Sequence, residues 1–495
     1  MNIPATLLCD FYKVSHREQY PEGTEYIFDT FTPRSNKYFP IADKVVVFSI
    51  QYFVRKYLVE YFDFNFFNRP KAAVVAEYKR VIKFTLGVEN PDTQHIEDLH
   101  DLGYLPIRLK ALKEGTLAPI KVPVLTLENT DKRFFWLVGY LETIMSASIW
   151  KGITSATIAY QYRKFLTAAA IKTTGSDEGV AFQGHDFSMR GMSSLESAEV
   201  SGAAHLLSFT GTDTIPAILF HERYYKANIE NELVGASIPA TEHSVMCSYG
   251  DTNEFELFKH LITEVYPNGF FSVVSDTWDF WKVVTEYLPK LKNEIMNRDG
   301  RVVIRPDSGD PVKIICGDPE GKTEAERKGL IQLLWEIFGG TVTAQGYKVL
   351  DGHIGAIYGD SITLDRAKAI VNGLMAKGFA STNIVFGIGS FTYQMTSRDT
   401  FGMAMKATWA QVNGVERLLF KDPKTDDGTK KSQRGRVMVF KGVDGLFYQD
   451  GLFLADEERL NTYRDKNQLE TVFENGKLVR EQSLSEVREI LATQE

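Results

Sequence analysis

The chain has 495 residues, too many for one small core, and length alone implies two or three domains unless a large α/β barrel takes about half of it. Its hydrophobic fraction of 44% and charged fraction of 24% are those of a soluble globular protein. A net charge of −8 excludes general binding to nucleic acid or anionic membranes, so any anion site must be a local basic cluster.

Cys9, Cys247 and Cys316 are far apart and form no CxxC pair, which fits a reducing compartment better than a disulfide framework or a zinc site. Asp10, Lys13, His16 and Arg17 interrupt any leader-like apolar run, and no run is long enough to span a bilayer. The expected location is the cytosol. In chain order, Glu25–Phe31 and Lys44–Ser49 read as strands. Gln51–Phe62 and Lys71–Phe84 carry apolar residues at helical spacing. Phe134–Met145 reads as a helix started by Asn129-Thr-Asp131. Tyr12 and Arg34 fall in loop-like contexts of this first part.

From Gly179 the pattern changes to short apolar runs alternating with helical ones. The expected strands are Val180–Phe187, Phe209–Asp213, Phe271–Ser275, Arg301–Ile304, Ile354–Tyr358 and Asn383–Phe386. Between them run helical patterns at Ser194–Leu207, Ile215–Lys226, Glu254–Val265, Trp278–Leu291, Glu324–Phe338 and Leu364–Lys377. Such alternation predicts a parallel sheet, closed or nearly closed as a barrel. Past Arg398 the chain turns β-rich, with Asn475-Gly476 as a hairpin turn. This tail is too small for its own core. It is expected to pack on the first part, giving segments 1–178, 179–392 and 393–495, with the outer two forming one discontinuous α+β domain.

Polar motifs cluster at the ends of the apolar runs, where the loops of a parallel barrel converge on one face. Ser237-Ile-Pro-Ala-Thr-Glu-His243 is the most concentrated. His243 needs an orienting carboxylate to be nucleophilic at neutral pH, and Glu242 and Asp276 are the candidates. Gly359-Asp360-Ser361 and Gly387-Ile-Gly389-Ser390 let backbone N–H groups approach phosphate oxygens. Arg398, Lys406, Lys421, Lys430 and Lys431 follow; Lys430 and Lys431 are expected on a solvated face. Arg305 suits a diphosphate, while Asp307 and Asp360 suit ribose hydroxyls. Phe187 suits stacking on a flat ring. Asp213 either accepts a hydrogen bond from an amide or caps the helix after it. These groups suit a phosphorylated ribose, an extended phosphate and a planar amide.

The ordered set Cys9-Asp-Phe-Tyr-Lys-Val-Ser-His16, His185-Asp-Phe-Ser-Met-Arg-Gly191, Gly211-Thr-Asp-Thr214, Pro239-Ala-Thr-Glu-His-Ser244, Ser272-Val-Val-Ser-Asp276, Ile304-Arg-Pro-Asp-Ser-Gly309, Ser397-Arg-Asp399 and Phe420-Lys-Asp-Pro423 resembles the nicotinamide phosphoribosyltransferases, of the type II phosphoribosyltransferase family. The resemblance covers nearly the whole chain and implies an irregular parallel α/β barrel. It implies that nicotinamide and 5-phosphoribosyl-1-pyrophosphate give nicotinamide mononucleotide and pyrophosphate. Mg²⁺ would be held chiefly by the diphosphate rather than by a protein cage. ATP hydrolysis would be coupled through a phosphohistidine at His243, oriented by Asp276 and Glu242. By position, Phe187 and Tyr12 would sandwich the pyridine ring, Tyr12 coming from the second subunit of a homodimer. Arg190 would contact the carboxamide. Arg34, Arg305 and Asp307 would contact the ribosyl diphosphate, and Gly359 and Asp360 the ribose region. Gly389 and Ser390 would hold the 5-phosphate, with Arg398, Lys406 and Lys421 adding charge, Arg398 and Lys406 from the partner chain.

Asp213 favours an amide, since a substrate carboxylate roughly 4 Å away would cost about 4 kcal/mol at an effective dielectric of 20. Departures from the animal members of that family stand at Ser390, Ala404 and Met189. The competing readings are a nicotinate phosphoribosyltransferase, a non-catalytic signalling protein and an unrelated phosphate-binding barrel such as an aldolase. The aldolase reading wants a strand-end lysine that no motif supplies.

Overall fold

The computed structural model describes residues 3–421, 424–425, 432–463 and 467–494. Lys430, Lys431 and Asp422-Pro423 lie outside the described residues. The chain divides into two compact units. One comprises Met1–Thr157, Phe220–Ala227 and Thr396–Glu495; the other comprises Ile158–Leu219 and Asn228–Met395. The borders expected at 178 and 393 differ from these. The helix expected at Phe134–Met145 is instead Trp136–Thr174, and the division falls within it. Phe220–Ala227 belongs to the first unit because its rings fill that core: Tyr225 stacks on Phe48 at 5.1 Å and Phe220 meets Tyr52 at 4.7 Å.

The first unit interleaves the two ends of the chain. Its seven-stranded sheet runs Val415–Leu418, Ala404–Val412, Thr24–Thr32, Leu125–Asn129, Ile107–Ala111, Glu470–Glu474 and Lys477–Leu478. All its pairs are antiparallel. Asn475 and Gly476, with φ of 48° and 80°, make the last hairpin turn, as their residue types demand. Asp131 accepts a hydrogen bond from the backbone N–H of Arg133 and so starts the turn that leads into the long helix.

The second unit is built on six parallel strands: β1 Gly184–Asp186, β2 Gly211–Thr212, β3 Phe271–Val274, β4 Val302–Arg305, β5 Ile354–Tyr358 and β6 Val385–Ile388. Their order is β2-β1-β6-β5-β4-β3. The sheet curls into a half-barrel, and the segment from Ala236 to Thr241 bridges its two free edges. Ala236 pairs with Gly211 and Ala240 with Ser272, both in parallel sense. The ties are Thr212 N to Ala236 O (3.0 Å), Ala236 N to Thr210 O (2.7 Å), Ser272 N to Pro239 O (2.8 Å) and Thr241 N to Ser272 O (3.0 Å).

Several expected elements are shorter or broken, among them Phe209–Asp213, of which Gly211–Thr212 is the strand, and Lys44–Ser49, of which Lys44–Val46 is. Val180–Phe187 splits into a 3-10 turn, Val180–Phe182, and β1. Gln183 lies between them, and its side-chain amide donates to Ser381 O and Ile384 O. Glu324–Phe338 breaks into Glu324–Lys328 and Leu330–Phe338 at Gly329, whose φ of 78° and close approach to the Gly317 backbone only glycine permits. Ser194 and Thr363 cap the helices Leu195–His205 and Leu364–Ala376 through N–H groups of Ser197 and Arg366.

Candidate active site

Asp213 follows β2 directly. Its carboxylate oxygen Oδ1 accepts from Ser237 Oγ at 2.6 Å and from His185 Nε2 at 2.8 Å. It does not cap the following helix, where Thr212 Oγ1 accepts from Thr214 N instead. His185 comes from β1, in register with Gly211 on β2. A side chain at Gly211 would lie 2.6 Å from His185 Nδ1, so the glycine makes room for the imidazole. Burial pushes the Asp213 carboxyl up, but the hydrogen bonds and charges of His185, Ser237 and Arg305 outweigh it and hold the group below the ordinary aspartate range.

Phe187 follows β1, where its N–H donates to Ile388 O at 3.0 Å. The ring lies against Gly359 and Gly387, and a Cβ on either would overlap it; at Gly359 the approach would be 2.7 Å. These two glycines thus serve the ring, not only a phosphate approach. A cavity of about 300 Å³ opens beside Phe187, His185, Asp213, Ser237 and Arg305. Its walls are Ile238, Val303, Ile357 and Val385, and it reaches Phe182 and Phe270 at the other end of the strands. Its shape and lining suit a flat apolar ring bearing one polar group.

The bridging segment then delivers His243. Thr241 O accepts from Arg305 Nη2 at 2.7 Å, and Thr241 Oγ1 accepts from Val274 N at 2.9 Å. His243 Nε2 lies 3.0 Å from Asp276 Oδ1. Asp276 is almost buried, and its other oxygen accepts from Asp307 N at 3.1 Å. Glu242 is not the partner of His243. It is extended, with φ of −123° and ψ of 170°, and its carboxylate accepts from Ser244 Oγ. Burial raises the Asp307 carboxyl above its usual range, reinforced by Asp276 and Asp360 against the opposing charges of Arg305 and His243.

Asp360 is exposed and accepts from Ser361 Oγ at 2.7 Å. Gly389 precedes the turn Ser390–Tyr393; a Cβ there would meet nothing nearer than Phe187 O at 3.9 Å, so its surroundings are open. Ser390 packs on Gly191. Arg190 is exposed on the turn Met189–Gly191 and does not line the cavity. Arg305 forms no ion pair with Asp307 and instead borders the cavity.

The remaining candidates belong to the first unit. Tyr12 is 59% exposed and edges onto His16 at 5.0 Å. Arg34 Nε donates to Gly402 O at 3.1 Å, Arg398 is exposed beside Asp399, and Lys421 N donates to Ser432 Oγ at 3.0 Å. Lys406 stands opposite Thr30 in the sheet, 3.8 Å from Glu142, which also accepts from Lys13. Asp29 is buried beside this group.

His185 and Ser237 were not singled out as binding residues in the sequence. The available signal was parity: His185 and Phe187 are two residues apart at a strand end, so they share a face. Ser237 is 24 residues from Asp213, and only the bridging segment brings them together.

A curled parallel α/β sheet with this polar rim is the architecture of the type II phosphoribosyltransferases. Residues 182–477 match the Nicotinate phosphoribosyltransferase (NAPRTase) family, and residues 5–108 match the Nicotinamide phosphoribosyltransferase N-terminal domain. A nicotinamide phosphoribosyltransferase of Acinetobacter baylyi is 54% identical over 98% of this chain and 96% of that protein. Another, of Xanthomonas campestris, is 34% identical over 97% and 96%. The chain belongs to the nicotinamide phosphoribosyltransferase family. In fold it is similar to a nicotinate-nucleotide pyrophosphorylase from Pyrococcus furiosus, with a TM-score of 0.58 at 15% identity over 99% of this chain and 95% of that one. It is likewise similar to human nicotinic acid phosphoribosyltransferase, with a TM-score of 0.55 at 12% identity, covering 98% and 93%.

Proposed function

We propose that the chain transfers the phosphoribosyl group of 5-phosphoribosyl-1-pyrophosphate to nicotinamide, as the names of its relatives suggest, in salvage of the pyridine for NAD. The observation that carries this reading is the Asp213 carboxylate at the cavity beside Phe187. It accepts from the carboxamide –NH₂, whereas nicotinate would set two negative charges together. The pyridine nitrogen attacks C1 of the ribose, the C1–O bond to pyrophosphate breaks, and its electron pair leaves with pyrophosphate. No general base is needed. The protein's part is positioning and stabilisation of charge on the leaving group. Asp307 and Asp360 face the ribose. Gly389 and Ser390 take the 5-phosphate, and Arg305 stands between the ring pocket and the diphosphate.

Among the described residues no three His, Cys, Asp or Glu side chains are grouped to hold a metal ion, so Mg²⁺ would be held chiefly by the diphosphate, with Asp307 and Asp360 beside it. Bound in that way, Mg²⁺ would supply charge neutralisation to the leaving pyrophosphate. ATP coupling runs through His243. With Nε2–H directed at Asp276, Nδ1 carries the lone pair, attacks the γ-phosphorus and displaces ADP. Tyr12, Arg398 and Lys406 act from a second copy of the chain in a shared homodimer site, and Arg34 and Lys421 add charge toward the diphosphate. The unpaired Cys9, Cys247 and Cys316 support work in the reducing cytosol.

The test is mononucleotide formation from phosphoribosyl pyrophosphate with nicotinamide or nicotinate, each with and without ATP. Nicotinamide turnover stimulated by ATP is the expected result; turnover of nicotinate alone overturns the substrate assignment. The His243→Ala variant is expected to keep basal turnover and lose the stimulation by ATP. Stimulation that survives removes His243 from the coupling. For the shared site, an inactive Lys406→Ala chain mixed with an inactive Asp213→Ala chain should recover activity. No recovery after subunit exchange argues for sites built within one chain.

A further inference from the structure

Two donors converge on one oxygen of Asp213. Ser237 Oγ lies 2.6 Å and His185 Nε2 lies 2.8 Å from Oδ1. The arrangement fixes His185 as the Nε2–H tautomer and occupies the lone pairs of Oδ1, leaving Oδ2 to meet a ligand. His185 holds its own place because Gly211 opposite lacks a side chain and because its ring edges onto Phe187 at 5.1 Å. Ser237 is placed by the barrel-bridging segment, whose Ala236 is tied to Thr210 and Thr212.

We infer that Ser237 and His185 are positioning residues for substrate choice: together they lock the Asp213 carboxylate in the rotamer that accepts a hydrogen bond from an amide and rejects an acid. This rests on Asp213 reading the carboxamide, as proposed above. Without the two donors the Asp213 carboxylate is free to turn away from the cavity, and the discrimination would fade.

The experiment measures kcat and KM for nicotinamide and for nicotinate, and the KM for phosphoribosyl pyrophosphate. The variants are Ser237→Ala, Ser237→Thr, His185→Leu and, as reference, Asp213→Asn. Loss of one donor should lower the nicotinamide-to-nicotinate ratio of kcat/KM about tenfold, the scale of one hydrogen bond to a charged group. The change should fall on the KM for nicotinamide, with the KM for phosphoribosyl pyrophosphate unmoved. Ser237→Thr keeps the hydroxyl and should restore the ratio, which a purely structural role of the segment would not predict. If Asp213→Asn collapses the ratio while both Ser237→Ala and His185→Leu leave it intact, the two donors play no part in selection and the inference is overturned. If Asp213→Asn itself leaves the ratio intact, the reading of Asp213 fails and the inference falls with it.

Discussion

Phe187 owes its place to residues without side chains. Gly387 on β6 and Gly359 just after β5 form the surface its ring lies on, and a methyl group on either would occupy the ring's space. Gly387→Ala must therefore push the ring toward the cavity or strain β6, at about 1–3 kcal/mol for overpacking. The KM for nicotinamide should rise at least as much as thermal stability falls, whereas unchanged affinity with normal folding would remove Phe187 from the ring site. The sequence made these glycines visible, but their role was ambiguous: a glycine that admits a phosphate and one that admits a phenyl ring look alike. Asp276 was legible as a partner for His243 because it ends an apolar run. Glu242 was equally plausible by adjacency, yet successive residues at a strand-to-helix turn point apart, and Glu242 turned to Ser244.

The strand Thr24–Thr32 carries Asp29 in a buried setting, and among the described residues its Oδ1 has no hydrogen-bond partner. Burial pushes its carboxyl up to about 7, with the charge of Glu142 adding to this and those of Lys13 and Lys406 opposing it. Since the folded value exceeds the ordinary 3.8, the fold binds this proton more tightly than the unfolded chain does. The contribution is full below about pH 4 and is lost as pH rises through about 7. Relative to Asp29→Asn, the native chain should lose stability across that window, measured as the pH dependence of the denaturant midpoint. Parallel curves would mean that Asp29 titrates normally. Other elements show where local patterns stop being informative. Ile354–Tyr358 is a strand as expected, because a five-residue apolar run bounded by Gly352 and Gly359 is too short for a helix. The helix expected to end at Met145 continues to Thr174, because it is apolar around much of its surface and offers no polar face by which to trace its length.

At the scale of the molecule, the alternation of strands and helices after Gly179 was enough to foresee a parallel barrel, since parallel neighbours need long crossovers. The return of the C-terminal strands to the first sheet was also foreseeable, as they were too few to bury a core alone. The bridging of the half-barrel by Ala236–Thr241 was not. That segment contains Pro239, lacks alternation and forms single bridges rather than a ladder, so nothing in it reads as a strand. The division within Trp136–Thr174 was likewise hidden, because it depends on which distant segments pack against each half of the helix.

The strand order has a bearing on how such a chain is made. In each unit the earliest strand lies beside one synthesised much later: Thr24–Thr32 pairs with Ala404–Val412, and Gly184–Asp186 pairs with Val385–Ile388. A nascent chain still short of residue 385 has no native neighbour on that side for either of them. Both cores therefore wait for the last quarter of translation, and the exposed edges left meanwhile are of the kind that chaperones shield.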